Sequence, residues 1–468
     1  MTAGSPSLAA AQFVTVSALA SYNAFLPTSL QSCLSKTGAK IVYPTDQAYE
    51  SLSKPQNSNY QAYPEVIVIP ASTEHVAATV KCVAAEKGNV KLSPRGGGHS
   101  YAAYSFSGQV VLDPSRMKGI SIDEAKRVVT VQFGQTLVVG LEFVDVSGKI
   151  KQLSPSSTGH DAELWWALRG AGSNNFGVVT AFTFSLEQAP TDVVNYELYF
   201  GPEPDCAQVL LQVQELGQLP ADSSDGISLD LGIEVLLMGR DDNQNSACIL
   251  QGQFLGKRSA YETAMNKILQ RLAAQGIKPV RSESKIKAFH NWVAALTDLM
   301  GPLEASDAPL PYYAQSAMDS GTPGYDKNQV QRIFDGLRAA RQTNGSEPDV
   351  SFDLLGPGAK TNLPTSSGDM AYIHRTSLFL VQIYSAYFPG FGDSAAHQDA
   401  VDKVTGITSA VRRPRPGSEW HSYQNYIDPH LANFGREYYG DALERLKAIK
   451  VAADPDVVFD FSQGLSHV

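Results

Sequence analysis

The chain has 468 residues, 43% of them hydrophobic and 18% charged, a composition that builds a large core rather than a disordered chain. Its formal net charge of −10 disfavours nucleic acid and anionic membrane surfaces as partners. No apolar run reaches the length of a bilayer span, and the size implies two or three domains or one large two-part unit.

No charged residue precedes Lys36. Leu8 to Ala20 is a short apolar run ending in the small-residue pattern Ala18-Leu19-Ala20, which suits a secretory leader; the basic start of a leader is missing, and a frayed N-terminus fits as well. Val66-Ile67-Val68-Ile69 reads as a buried strand closed by Pro70. Ser72 or Thr73 then caps a helix to about Lys87, with Gly88 as its stop.

Val90 to Ser93 forms the next strand and leads into Pro94-Arg95-Gly96-Gly97-Gly98-His99-Ser100-Tyr101. Successive glycines let the backbone approach a ligand closely and turn N–H groups toward an anion. This is a strand–helix–strand unit that delivers a glycine loop at a strand end, where open sheets bind ligands. His99 either meets what the loop cradles or merely caps a turn. Val110 to Asp113 and Val128 to Val131 continue the sheet.

Asp161 to Arg169 forms a helix with Leu164, Trp165 and Leu168 on one face. Gly170-Ala171-Gly172-Ser173-Asn174-Asn175-Phe176-Gly177 follows, and then a strand from Val178 to Phe184. A dinucleotide fingerprint runs strand, glycines, helix; the order here is reversed and the glycine spacing is wrong, which excludes a Rossmann site.

From about Gln188 to Gly417 the pattern changes. Ile227 to Leu237 and Ser377 to Tyr387 alternate as long antiparallel strands, and Ala260 to Gln275 and Lys327 to Gln342 read as helices. This predicts a separate α+β domain whose sheet has one face covered by helices. Arg412 to Gly417 reads as a linker. Asp441 is positioned to cap a last helix carrying Leu443, Leu446 and Ile449, and Pro455 bars its extension.

The four cysteines, Cys33, Cys82, Cys206 and Cys248, include no Cys-x-x-Cys pair, and the nine histidines show no zinc-ligand spacing, so no metal is expected. An even count suits disulfides in an oxidising compartment; four buried thiols suit the count equally. Asn344-Gly345-Ser346 is a glycosylation triplet.

Several of these pieces agree with one family in order and spacing. They are Arg95 to Tyr101, Leu164 to Gly172, Asn175 to Thr180, Ala371-Tyr-Ile-His-Arg375, Tyr423-Gln-Asn425-Tyr426-Ile-Asp428, Tyr438-Tyr439-Gly440, Arg445-Leu446 and Asp454-Pro455. From about Cys33 to Phe461 the chain resembles the berberine-bridge-enzyme-like branch of the vanillyl-alcohol-oxidase flavoproteins, with its nearest look among secreted fungal carbohydrate oxidases.

The resemblance implies an α+β fold: a two-lobed FAD-binding domain of PCMH type over residues 33–187, a substrate domain over 188–417, and a C-terminal segment, 418–468, returning to the FAD domain. Residues 1–32 are left as the leader and N-terminal segment. It also implies FAD bonded covalently through His99 and held by Arg95, Gly96, Gly97, Gly98, Ser100, Gly172, Asn175, Gly177 and Val178, with Tyr423 and Asn425 near the ring. Tyr426 matches the general base, Asp353 its supporting carboxylate and Gln382 a substrate-side position. Cys33 and Cys82 match a family disulfide.

The implied reaction oxidises an alcohol, such as a carbohydrate hydroxyl, with dioxygen reduced to hydrogen peroxide. Oxidation of a secondary metabolite is the alternative substrate class. The implied protein is a secreted monomer with no nucleic-acid or membrane partner. A free tyrosine has a pKa of about 10, so Tyr426 serves better as a proton conduit to Asp353 than as the final acceptor. Without the family pattern, Tyr426 reads as a buried aromatic and Asp353 as a loop cap beside Gly356-Pro357-Gly358.

One departure stands out. Family members carry a long cofactor cradle, including a Gly-Thr-Cys segment for a second covalent bond, between the strand at Val128 to Val131 and the next. Here Gly134-Gln135-Thr136-Leu137 runs directly into Val138-Val139-Gly140-Leu141. A second, cysteinyl link is therefore not expected, and a flavin-poor, non-catalytic descendant is a third reading.

Overall fold

The structure, a computed structural model, describes residues 26–132, 138–172, 174–220, 223–238, 246–302, 308–342, 346–356, 370–389, 394–413 and 420–468. The leader pattern, Gly134 to Leu137, Asn344-Gly345, Pro357-Gly358 and Pro414 to Gly417 lie outside the described residues.

The architecture is α+β, built on three sheets. The first contains β1 (Lys40–Val42), β2 (Val66–Ile69), β3 (Leu92–Pro94) and β4 (Val110–Leu112), in the order β1-β2-β4-β3. β2, β4 and β3 are parallel, and β1 joins antiparallel. Strand β2 is apolar throughout and fully buried, as a strand covered on both faces must be. Helices α1 (Thr28–Leu34), α2 (Tyr49–Leu52) and α3 (Thr73–Ala84) accompany this sheet. Ser72 caps α3 by accepting from the His75 N–H, and Val76, Val80 and Val83 line its buried face. Cys33 of α1 and Cys82 of α3 form a disulfide.

The second sheet, order β5-β6-β9-β7-β8, contains β5 (Ile120–Asp123), β6 (Val128–Val131), β7 (Val138–Val144), β8 (Ile150–Leu153) and β9 (Val178–Ser185). Helix α4 (Gly159–Ala167) packs behind it and buries Leu164, Trp165 and Trp166.

The third sheet has seven antiparallel strands in the order β13-β10-β12-β11-β15-β16-β14. They are β10 (Val193–Phe200), β11 (Glu234–Met238), β12 (Cys248–Leu255), β13 (Lys285–Phe289), β14 (Tyr312–Asp319), β15 (Glu347–Leu354) and β16 (Phe379–Ala386). Helices α5 (Glu203–Gly217), α6 (Arg258–Ala273), α8 (Lys327–Arg341) and α9 (Ser394–Val411) cover one face, while α7 (Trp292–Met300) packs at the β10–β13 edge. Val235, Leu237, Val350, Phe352, Val381 and Ile383 point into the core that the covering helices share. Alternation then forces residues 234, 349, 351, 353 and 382 onto the opposite face.

A C-terminal segment with α10 (Phe434–Tyr439) and α11 (Leu443–Ala453) packs on α4. Lys450 is buried there. Its ammonium donates to Asp454 at 2.6 Å and to the carbonyls of Asn175 and Phe459, each at 2.7 Å.

Three sequence expectations are corrected. The strand expected over Ile227 to Leu237 begins only at Glu234, because residues 228–231 turn and Gly232 is pressed against β12: a Cβ on Gly252 would lie 2.1 Å from the Gly232 carbonyl oxygen. Asp441 does not cap the last helix; residues 440–442 form a tight 3₁₀ turn, and Asp441 instead pairs with Arg436 at 3.0 Å. Val128 to Val131 does not continue the first sheet; as β6 it pairs with β5 and β9 in the second. Cys206 and Cys248, which the sequence left open, form a second disulfide between α5 and β12.

Candidate functional site

Three segments from distant parts of the chain converge on the uncovered face of the seven-stranded sheet. One is the glycine loop between β3 and the turn at Tyr104–Phe106. Gly98 has φ 78°, a conformation that favours glycine, and a Cβ there would press on the Arg95 Nε at 3.1 Å. Arg95 explains the shape of the loop. Its guanidinium folds under it to pair with Asp113 at 2.8 Å, donate to the Leu52 carbonyl at 3.1 Å and sit over the Phe106 ring. The Arg95 side chain is thus committed to scaffold rather than to a ligand.

The loop's outer surface is open. Gly96, Gly97 and His99 are exposed; a Cβ on Gly96 would meet no atom within 4 Å. Two residues past His99, Tyr101 turns inward. Its backbone carbonyl accepts from Asn57 Nδ2 at 2.8 Å, and its hydroxyl accepts from Gln382 Nε2 at 2.8 Å.

The second segment is Gly170 to Val178. Gly177 is forced by packing, since a Cβ would lie 2.4 Å from Phe143 Cζ. Asn175 is buried, donates to the Ala171 carbonyl and accepts from the Leu465 N–H at 2.9 Å; Val178 starts β9. The side chains of Asn175 and Val178 are thus structural. Gly172 has room, its nearest neighbour being Gln424 Cγ at 3.5 Å from an added Cβ. Asn174 donates to the Tyr104 carbonyl at 3.3 Å, and its buried Oδ1 has no hydrogen-bond partner.

The third segment is His421 to Asp428. Tyr423 N–H donates to Ser316 Oγ at 2.9 Å, and Gln424 Nε2 donates to the Gly170 carbonyl at 2.8 Å, which ties the segment to both neighbours. Asn425 Nδ2 donates to the Tyr423 hydroxyl at 2.8 Å. Asp428 anchors its end: buried, it accepts from the Tyr313 hydroxyl at 2.7 Å and from Gln315 Nε2 at 3.1 Å.

The Tyr426 ring stacks on Tyr101 with centroids 5.5 Å apart and planes within 6°. Tyr423 meets Tyr426 edge-on at 5.2 Å, and Tyr312 meets Tyr101 edge-on at 5.1 Å. Burial, then the Tyr101 hydroxyl and Asp353, push the Tyr426 phenol above its ordinary value, so it is neutral at neutral pH.

Beneath this aromatic cluster lies the polar sheet face. Ser316, Gln382 and Ser351 stand side by side on β14, β16 and β15. Asp353 on β15 lies opposite Glu234 on β11. Burial, then the Glu234 charge, push the Asp353 carboxyl up to about 7, and burial raises Glu234 as well. Asp349, on the same face, is pushed up to about 7 by burial and then by Glu234.

The structure therefore groups Tyr423, Asn425, Tyr426, Gln382 and Asp353 with the His99 loop, whereas Arg95, Asn175, Gly177 and Val178 build its walls. The sequence reading missed Glu234, Asp349, Ser316, Tyr312 and Tyr384 and gave Tyr101 no role. Glu347, Asp349, Ser351 and Asp353 do alternate with Pro348, Val350, Phe352 and Leu354, a readable sign of a two-faced strand, but the chain order does not reveal which face meets the loops.

Comparison with known proteins fits this geometry. A family model described as an FAD-binding domain matches residues 64–159, and one described as berberine and berberine-like matches residues 422–466. The chain thus carries an FAD-binding domain and a berberine-like C-terminal segment, the pairing found in its FAD-linked oxidoreductase relatives. Its relatives include a xylooligosaccharide oxidase from Thermothelomyces thermophilus, 26% identical over 93% of this chain and 94% of that one. A glucooligosaccharide oxidase from Sarocladium strictum is 22% identical over 92% of this chain and 93% of its own. Among solved structures, the glucooligosaccharide oxidase from Acremonium strictum with 6-S-cysteinyl, 8α-N1-histidyl FAD superposes with a TM-score of 0.80, covering 94% of this chain and 99% of that one at 20% identity. That likeness is one of fold.

The FAD-binding domain implies a bound flavin, and the residues present fit its ring end. The Gly96–Gly97 backbone faces open space, His99 is exposed on the same loop, and the orphaned Oδ1 of Asn174 lies beside that loop's continuation. Only residues 132–137 separate β6 from β7.

Proposed function

We propose that this chain is an FAD-dependent oxidase of an alcohol, with a carbohydrate hydroxyl as its substrate and dioxygen as its electron acceptor. One observation carries the reading: Tyr426, Asp353 and Gln382, from three different elements, gather on one polar sheet face against the loop that bears His99. The relatives named as oligosaccharide oxidases support the substrate class. So does a face of carboxyl, amide and hydroxyl groups flanked by tyrosine rings, the surface chemistry that receives sugars.

His99 is the residue that would tether the cofactor. FAD held there would supply hydride acceptance and reoxidation by dioxygen to hydrogen peroxide. The chain's own residues handle the proton. Tyr426, held neutral, takes the substrate hydroxyl proton at its phenolic oxygen as it releases its own to Asp353. Gln382 and Tyr101 fix the phenol ring's surroundings, and the Tyr101–Tyr426 stack keeps water away from one side. Both disulfides suit an oxidising compartment, and a secreted monomer fits this reading.

A second reading has its own observation. Only six residues, 132–137, join β6 to β7, where the family resemblance implies a longer cofactor cradle, and this favours a flavin-poor protein that keeps the fold without turnover. A peroxide-release assay across xylo-, gluco- and chito-oligosaccharides and aromatic alcohols separates the readings. Turnover of an oligosaccharide, lost in Asp353→Asn, supports the oxidase. Absence of peroxide with every donor rejects it.

A further inference from the structure

One row of side chains crosses the whole seven-stranded sheet on its uncovered face: Lys285, Glu197, Gln251, Glu234, Asp353, Leu380 and Met318, each opposite the next. The row has two acidic centres, and they are treated differently. Glu197 is neutralised by Lys285 at 3.0 Å and accepts from the Tyr199 hydroxyl at 3.2 Å. Glu234 and Asp353 instead stand directly opposite each other on neighbouring strands, and burial raises both carboxyls. Ionising both would place two like charges on adjacent buried positions, which favours a state in which one of the pair carries a proton.

We propose that Glu234 and Asp353 hold a single proton between them as a dyad, with Glu234 the positioning residue that sets the protonation of the catalytic Asp353. The inference rests on the reading of Asp353 as proton acceptor.

The surroundings favour one proton. Gln251 Nε2 donates to Glu234 Oε1 at 2.9 Å and fixes one carboxyl in the plane of the row. The groups that act on the pair from other elements are Tyr426 and, through it, Tyr101 and Tyr423 from the loops above, and Asp349 from β15. Tyr384 stands next to Asp349. None of these brings a positive charge. The cations Arg341 and Lys285 act on Asp349 and Glu197 instead. Two like charges on adjacent buried positions strongly favour a shared proton, and titration then belongs to the pair rather than to either residue.

The consequence is chemical. In the singly protonated state the dyad carries one negative charge. The proton that Tyr426 releases makes the pair neutral and leaves no doubly charged centre at any stage. Product release then returns that proton to solvent.

The test is a carboxyl-carbon NMR titration of the full-length purified protein labelled in Asp and Glu, alongside Glu234→Gln. The wild-type protein is expected to show Asp353 and Glu234 titrating in two linked steps. Glu234→Gln is expected to leave one Asp353 step, lower by about 1 pH unit, and to move the acid limb of kcat/KM down by the same amount. Independent titration of the two groups in the wild-type protein overturns the dyad whether or not the variant folds. An Asp353 step unchanged in Glu234→Gln overturns it equally. Intact turnover in Asp353→Asn beside a linked wild-type titration overturns only the acceptor role, so the two failures are distinguishable.

Discussion

The two large sheets of this molecule have opposite degrees of completion. The seven-stranded sheet buries one whole face under α5, α6, α8 and α9, with Phe352, Phe379, Val381 and Leu337 inaccessible to solvent. Its other face is dense with polar groups that meet the loops. The five-stranded sheet is less finished. Ile120 and Ile122 on edge strand β5 are 68% and 61% exposed, and every residue of β6 is only half-buried. Their partners Val131, Val129, Phe182 and Phe184 continue the same apolar face across β6 and β9. The polar face that gathers the candidate site is thus backed by a closed core, whereas the five-stranded sheet leaves an apolar edge exposed.

That contrast can be broken at several points. The largest expected effect is at Lys450. Replacing it with Met leaves the buried Asp454 carboxylate without its cation, held only by the Val458 and Phe459 N–H groups, and removes the ties to the Asn175 and Phe459 carbonyls, at a cost of about 3–5 kcal/mol. Calorimetry is expected to show the cofactor half melting first, ahead of the seven-stranded sheet; one unshifted transition would contradict the division. Next, replacing Cys206 and Cys248 by Ser removes a link closing 42 residues in the better-packed half, for a loss of about 2–4 kcal/mol in chemical denaturation.

Tyr426→Phe keeps the stack on Tyr101 but removes the conduit, and turnover is expected to fall by about 100-fold with melting unchanged. The pH dependence has a definite sign. Asp349 and Asp353 keep their protons up to about 7 in the fold, against about 4 in an unfolded chain. Their contribution to stability is full below about pH 4 and is lost as the pH rises through about 7. Activity, which needs the proton-accepting form, runs the other way and rises through the same window. The smallest effect is at Ile120 and Ile122: changing both to Thr is expected to leave stability within about 0.5 kcal/mol per site while reducing self-association in light scattering.

Much of the scaffold was legible because periodicity and punctuation agree. The fully apolar Val66 to Ile69 had to be a two-sided buried strand, and Ser72 before a 3.6-residue pattern had to start a helix. The His99 loop was legible because glycines at a strand end have few other uses. Asp441 misled because a good capping residue was drawn into an ion pair with Arg436, five residues back. Glu234 stayed hidden because its importance comes from its register with Asp353, more than 100 positions away, and register belongs to the sheet rather than to any segment. The Cys206–Cys248 bridge was hidden because it depends on how helix α5 packs on strand β12, which neither segment reveals alone.

Whether the His99 loop holds a flavin decides between the oxidase and the flavin-poor protein. The direct measurement is visible absorbance of the acid-precipitated polypeptide, for the native protein and for His99→Ala. The account predicts yellow pellets from the native protein and colour released to the supernatant from the variant. A native polypeptide that remains colourless after folding with excess FAD would contradict it.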